Sequence, residues 1–236
     1  MSEMDEPIYR KQIKVITDGP YFVSGDIPLV SKTQVVSEYG EPLTWKNDGE
    51  IKTGMTYSLC RCGHSSQMPF CDNTHFKIEF DSTETAPTDL TVERRETLPE
   101  SQNIVIRLDP TLCTESGFCA NRNTCIEEMA TKTADSQVRA QAITMIELCP
   151  SGALTYSLKE GEQDIEVNLP KQIAVTTEVV SEGPIRGPLW VMGGIPILRA
   201  DGVPFEVRNR VTLCNCGRSQ AKPLCDGMHR VNPIRK

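Results

Sequence analysis

The chain has 236 residues, a formal net charge of -7, 38% hydrophobic residues and a mean hydropathy of -0.33. That length accommodates one large domain or two to three small ones. The acidic balance argues against nucleic acid and against an anionic membrane surface, both of which demand a basic face. No apolar run reaches eighteen residues and no N-terminal stretch pairs a basic n-region with an apolar h-region, so the expected location is the cytoplasm. Ten cysteines is an even number, but nothing directs export and the two thiols of a C-x-C do not easily pair with each other. Thiolates poised for metal are the better reading.

In chain order, alternation in "IKVIT" (13–17) and "TQVVS" (33–37) predicts strands. Short segments broken by Gly and Pro, "ITDGPYFVSGDIPLV" (16–30), "GEPLTW" (40–45) and "YSLC" (57–60), lead into "CRCGHSSQMPFCDNTH" (60–75). Residues 81–103 are polar and rich in turn formers, a linker or an exposed edge. "IVIRLD" (104–109) reads as a strand, residues 122–148 carry helical periodicity through Ile126, Met129, Val138, Ile143 and Ile146, and "ALTYSL" (153–158) reads as a closing strand. Four cysteines fall in this middle segment: Cys113, Cys119, Cys125 and Cys149. The acidic stretch Glu160–Asp164 reads as a solvated turn. "IAVTTEV" (173–179) predicts a strand and "PLWVMGGIPIL" (188–198) a strand and turn, ahead of "VTLC" (211–214) and "CNCGRSQAKPLCDGMH" (214–229). Trp45 and Trp190 are expected in the core.

Both sixteen-residue frames are C-x-C-x8-C-x3-H, with Ser65 and Pro69 matching Ser219 and Pro223. Asp18-Gly19-Pro20 matches Glu182-Gly183-Pro184, and Gly25–Pro28 matches Gly193–Pro196. This is an internal duplication of a unit of roughly sixty residues, shorter in its second copy. The third cysteine of each frame should open a short helix with the histidine one turn later on the same face, so that Cys71 with His75, and Cys225 with His229, grip one centre. Three thiolates and one imidazole suit tetrahedral zinc or an iron–sulfur cluster, and spacing alone leaves both open. Zinc sites more often use C-x2-C knuckles.

The frame resembles the CDGSH iron–sulfur (NEET) family, whose signature runs C-x-C-x2-[ST]-x3-P-x-C-D-G-[STA]-H. The second copy keeps Cys214, Cys216, Ser219, Pro223, Cys225, Asp226, Gly227 and His229, with Met228 in place of a small residue. The first keeps Cys60, Cys62, Ser65, Pro69, Cys71, Asp72, Thr74 and His75, with Asn73 for the glycine, a substitute suited to positive φ. The resemblance implies a [2Fe–2S] cluster at each frame, with two cysteine sulfurs on one iron and cysteine plus imidazole on the other. It also implies that two copies in one chain pair as an intramolecular pseudo-dimer. Two ferric irons, two sulfides and three thiolates sum to about -1 with neutral imidazole, so the potential should sit above that of an all-cysteine site and depend on pH. His64 lies outside the frame, at the surface or as a tuning group beside the first cluster.

"CTESGFC" (113–119) followed by "CPSGAL" (149–154) resembles a divergent mono-cluster ferredoxin, with Ser116 where the run C-x2-C-x2-C has its second cysteine. That resemblance implies a [3Fe–4S] cluster on Cys113, Cys119 and Cys149. Cys125, six residues after Cys119, is either spare or the fourth ligand of a [4Fe–4S] cluster, and a ferredoxin form without a cluster is the third option.

No Walker A loop, dinucleotide fingerprint or nucleophile elbow is present, and all three histidines lie in or beside a cysteine frame, so the chain is not expected to be an enzyme. The expected fold is α+β, mostly β: a first unit over residues 1–80, a linker over 81–103, a ferredoxin-like insert over 104–160 and a second unit over 161–236. The expected function is one-electron transfer through three clusters, with redox proteins or apo iron–sulfur acceptors as partners and a monomer of internal pseudo-two-fold symmetry as the assembly. The alternatives are a cluster-delivery or redox-sensing module and, third, a zinc-stapled interaction protein.

Overall fold

Period-two alternation sets the first strands of the computed structural model, which describes residues 10–99, 101–231 and 233. β1 (Gln12–Val15) buries Ile13 and Val15, and β2 (Tyr21–Ser24) buries Tyr21 and Val23, so alternate side chains enter one core. They are followed by β3 (Leu29–Val36), the exposed β4 (Pro42–Ile51) and β5 (Thr56–Leu59). In the second half, β11 (Gln172–Val180) and β12 (Gly183–Met192) form a longer hairpin, then come β13 (Ile197–Leu198), β14 (Arg210–Leu213) and a one-turn α4 (Met228–Val231). β3 and β13 are equivalent, but the arm that β4 makes in the first half has only an isolated bridge, Leu198 with Pro204, in the second. This is where the second copy is shorter.

Two sheets result, ordered β13-β1-β2-β5 and β14-β12-β11-β3-β4. Within each, three strands of one half pair antiparallel. The strand beside them comes from the other half and runs parallel: Ile13 faces Ile197, and Ile173 faces Leu29. Each half thus gives its third strand to the other's sheet. A single apolar core runs through both sheets and the insert, from Ile13, Tyr21 and Leu59 through Ile106 and Ile146 to Ile173 and Leu213. Trp45 and Trp190, 5.6 Å apart, belong to a smaller cluster with Val30, Ala174 and Met192, and Phe118 of the insert stacks on Trp45 at 5.4 Å.

The segment 81–103 contributes α1 (Thr91–Arg94) and β6 (Glu96–Thr97), and the insert contains β7 (Val105–Leu108), β8 (Ala120–Asn121), β9 (Thr124–Cys125), α2 (Ile126–Ala130), α3 (Ser136–Leu148) and β10 (Leu154–Ser157), with a sheet ordered β10-β7-β6. The single helical periodicity over 122–148 resolves into two helices. Asp135 accepts hydrogen bonds from the Gln137 and Val138 N–H groups and so restarts the helix as an N-cap. Ile126, Met129 and Ile146 are buried as the pattern requires, whereas Val138 and Ile143 are half-buried. The polar stretch 81–103 is fastened along its length: Thr85 and Ala86 donate to the Lys222 carbonyl, and β6 pairs with β7 at the sheet edge. Asp164 departs from the solvated-turn reading, because it pairs with the guanidinium groups of Arg107 (2.8 Å) and Arg95.

Candidate metal centres

Each sixteen-residue frame leaves the last strand of its antiparallel trio, β5 or β14. Cys60 N–H donates to the Pro69 carbonyl (2.8 Å) and Cys214 N–H to that of Pro223 (2.9 Å), while Cys71 and Cys225 donate back to Ser58 and Thr212. The non-cysteine residues of the pattern close the loop. Ser65 Oγ donates to the Phe70 carbonyl at 2.6 Å and Ser219 Oγ to that of Leu224 at 2.7 Å. Asp72 accepts from Ser66 (2.8 Å) and Thr74 (3.0 Å) N–H groups, Asp226 from Gln220 (2.7 Å) and Met228 (3.1 Å). Asp72's hydrogen bonds hold its carboxyl well below the usual range. Asn73 at φ 67 and Gly227 at φ 86 make the same left-handed turn before the histidine.

The donors come in pairs. Cys60 and Cys62 sulfurs are 3.7 Å apart, Cys214 and Cys216 3.6 Å; Cys71 Sγ lies 3.4 Å from His75 Nδ1, and Cys225 Sγ 3.4 Å from His229 Nδ1. Two sulfurs bound about 2.3 Å from one tetrahedral metal lie roughly 3.8 Å apart, and a sulfur–nitrogen pair roughly 3.6 Å. All four pairs therefore match the bite of one metal atom. Among the described residues no three His, Cys, Asp or Glu side chains converge on a single ion position. Each frame presents one Cys–Cys pair and one Cys–His pair. The expected helices are shifted: a 3-10 turn spans Thr74–Lys77 and α4 starts at Met228, so Cys71 and Cys225 precede the helix instead of opening it.

Burial raises the Cys62 thiol to about 11 despite the hydrogen bond from the His64 N–H. In the second frame the contact with Cys216 and backbone N–H groups draws the Cys214 thiol down, while the same contact and burial push Cys216 up. His64 is exposed, with Nδ1 2.8 Å from the Cys62 carbonyl.

The two frames meet back to back. A Cβ on Gly63 would fall 2.5 Å from the Cys216 carbonyl oxygen, and one on Gly217 2.4 Å from that of Cys62, so each C-x-C-G turn requires glycine against its counterpart. Their outer surroundings differ. His229 Nε2 lies 3.0 Å from Glu178 Oε2, both residues are almost wholly buried, and Arg230 pairs with the same carboxylate oxygen. Tyr21, from the first half, donates its hydroxyl to the second frame's Cys214 (2.7 Å) and Pro223 (3.0 Å) carbonyls. The register makes Leu189 the counterpart of Tyr21, so the first frame receives no equivalent hydroxyl. His75 instead packs at 4.2 Å on Phe76, which is 76% exposed.

In the insert, Cys113, Cys119 and Cys149 line one pocket, together with Ser116, Phe118 and Ser151. Burial and the neighbouring Cys149 and Cys113 sulfurs raise Cys119 to about 11. Cys125 lies outside this cavity, paired in the β8–β9 ladder opposite Ala120. The cysteine loop is tied to both halves. Gln34 Nε2 donates to the Ser116 carbonyl (2.8 Å) while its Oε1 accepts from Val179 N–H (3.0 Å), and the Glu115 side chain fills the space beside Gly227.

Residues 18–76 and 186–230 match the family described as iron-binding zinc finger, CDGSH type, and residues 100–159 match the divergent 4Fe-4S mono-cluster family. The chain carries two CDGSH regions around a divergent ferredoxin-type domain. It is thereby an iron–sulfur, metal-binding protein, mostly β, with the mono-cluster domain inserted between the CDGSH regions. No curated protein and no solved structure matches the chain. Among the described residues no helix is long and apolar enough to cross a membrane. Sequence reasoning passed over Tyr21, Gln34, Glu178 and Arg230. The available signal was Glu178, an acid inside the apolar strand run 173–179.

Proposed function

We propose that the chain is a one-electron carrier holding a [2Fe–2S] cluster at each CDGSH frame and a [3Fe–4S] cluster on Cys113, Cys119 and Cys149, and that it is not an enzyme. The observation that carries this reading is the two-and-two grouping of donors, repeated at the same separations in both frames. Bound clusters supply reversible one-electron chemistry. The chain's part is to hold Cys60 with Cys62 and Cys71 with His75, and Cys214 with Cys216 and Cys225 with His229, as separate bidentate grips. The exchanged strands β3 and β13 and the reciprocal contacts at Gly63 and Gly217 support an intramolecular pseudo-dimer in one monomer. Residues 1–80 and 161–236 form its two units, 81–103 a strap and 104–160 the insert. The compartment is the reducing cytoplasm, where cysteines stay available as thiolate ligands.

Titration of the visible absorbance through reduction and reoxidation tests this. Carriage predicts full recovery of the spectrum with iron retained. A second reading is favoured by one observation, the exposure of Phe76 beside His75: delivery of the first frame's cluster to an apo-acceptor. In that case reduction or an apo-ferredoxin acceptor empties the first frame irreversibly. Structural zinc predicts a colourless protein and is disfavoured by the paired donors.

A further inference from the structure

Glu178 has no role in the duplicated pattern, yet it is the most completely buried acid beside a candidate ligand, at 0% exposure. A β-bulge puts it there. β11 and β12 pair regularly up to Val175 opposite Leu189, then resume at Thr177 opposite Arg186, so two residues, Gly187 and Pro188, oppose Thr176. Thr176 Oγ1 caps the bulge by donating to the Pro188 carbonyl at 2.6 Å. A Cβ on Gly187 would lie 2.4 Å from Thr176 Oγ1 and 3.1 Å from Glu178 Cγ, so glycine leaves both side chains their room. Three consecutive residues, Thr176 to Glu178, are buried where simple alternation would expose one.

Two features indicate more than packing. Glu178 Oε1 is buried without a hydrogen-bond partner, an arrangement that costs stability unless it serves something else. Its Oε2 receives both His229 Nε2 and the Arg230 guanidinium. With Nδ1 beside Cys225 and serving as the metal-binding nitrogen, the ring's proton would fall on Nε2, where the carboxylate can accept it, an arrangement that fixes both tautomer and orientation of a metal-binding imidazole. No carboxylate stands at His75 Nε2 among the described residues. The first half's hairpin closes at Val15 opposite Tyr21, before any position that corresponds to Glu178, and Asp18 lies in the tight turn, where it accepts from Ser82.

We infer that Glu178 is a positioning residue for His229, and that its charge, partly screened by Arg230, sets the second cluster apart from the first in potential and in lifetime. The inference rests on the cluster reading above. The second frame is then the retained internal relay, tied through Val179 and Gln34 to the middle cysteine loop, and the first frame, with His75 beside exposed Phe76, is the port at which a partner protein exchanges electrons.

The test is a redox titration of the full-length protein, followed by electron paramagnetic resonance, with two variants of opposite charge effect. Glu178→Gln keeps an acceptor for Nε2–H and removes a negative charge, so one [2Fe–2S] wave should move to higher potential while the other stays. Arg230→Met leaves the carboxylate unscreened, so the same wave should move to lower potential; its side chain is partly exposed and the substitution does not depend on repacking a core. Repeating both in a Cys71→Ser background, which empties the first frame, should leave the moving wave in place. Glu178→Ala should in addition speed iron loss from the second frame about 10- to 100-fold, and Glu178→Gln should largely restore retention. Two waves that shift together, no shift, or the same direction for both charge variants would overturn the role of Glu178. A native protein without clusters would instead overturn the cluster reading itself.

Discussion

The two CDGSH frames are the same object in different settings. Their internal geometry agrees to about a tenth of an ångström in every donor pair, and the loops are closed by the same serine, proline and aspartate bonds. What surrounds them comes from elsewhere in the chain and does not repeat. The second frame is enclosed by Tyr21 from the opposite half, by Glu178 on a bulged strand, by Glu115 from the insert, and by the strap residues Thr85 and Ala86. The first leaves Cys71 half-exposed and presents Phe76 to solvent. A duplicated ligand pattern therefore fixes which atoms bind, and the unduplicated remainder fixes how accessible and how tightly held each centre is.

The largest effect expected from breaking this comparison is loss of one centre without the other. Cys214→Ser should remove the second frame's iron, about two atoms per chain, and Cys60→Ser the first frame's, each read by iron analysis and visible absorbance. Next come Gly63→Ala and Gly217→Ala. Because the contact is reciprocal, both should destabilise by a similar amount, on the order of 2 kcal/mol or more, measured as the denaturant midpoint. Unequal losses would mean that the two turns do not bear on each other alike.

Tyr21→Phe sharpens the comparison from the other side. It deletes a hydroxyl shared by two carbonyls of the second frame, so about 1–2 kcal/mol of stability should go. A mild chelator should then strip the second frame faster while the first frame's rate is unchanged. The smallest effect on stability is predicted for Phe76→Ser, within about 0.5 kcal/mol, since the ring is mostly in solvent. The same substitution should slow reduction by an external electron-donor protein and leave reduction by a small-molecule reductant alone, which stopped-flow absorbance can separate.

Much of this was legible in the residues. The closeness of Cys71 to His75 and of Cys225 to His229 and the positive φ at Asn73 follow from patterns in which near neighbours in sequence are near neighbours in space, while the gathering of Cys113, Cys119 and Cys149 without Cys125 was legible only through the resemblance to a mono-cluster ferredoxin. The exchange of β3 and β13 between halves was legible only as a duplication, because parallel pairing between distant strands leaves no local mark. Glu178 was hidden for a related reason. The strand run 173–179 reads as simple alternation, and the bulge that turns Glu178 inward arises on the partner strand, at Gly187-Pro188, where proline cannot donate to a regular ladder. Tyr21 is one aromatic among several until its partner loop, nearly two hundred residues away, is brought to it. The single helical segment split because Asp135 caps a new start, a signal present in the sequence but outweighed by the longer apolar periodicity.

The most direct test of the account is the content of iron, zinc and acid-labile sulfide in anaerobically purified protein. The account predicts about seven irons and eight sulfides per chain, two [2Fe–2S] clusters with one [3Fe–4S], and no zinc. About four irons and four sulfides would leave the middle cavity without a cluster and contradict the three-centre reading; zinc with little sulfide would contradict the redox function altogether.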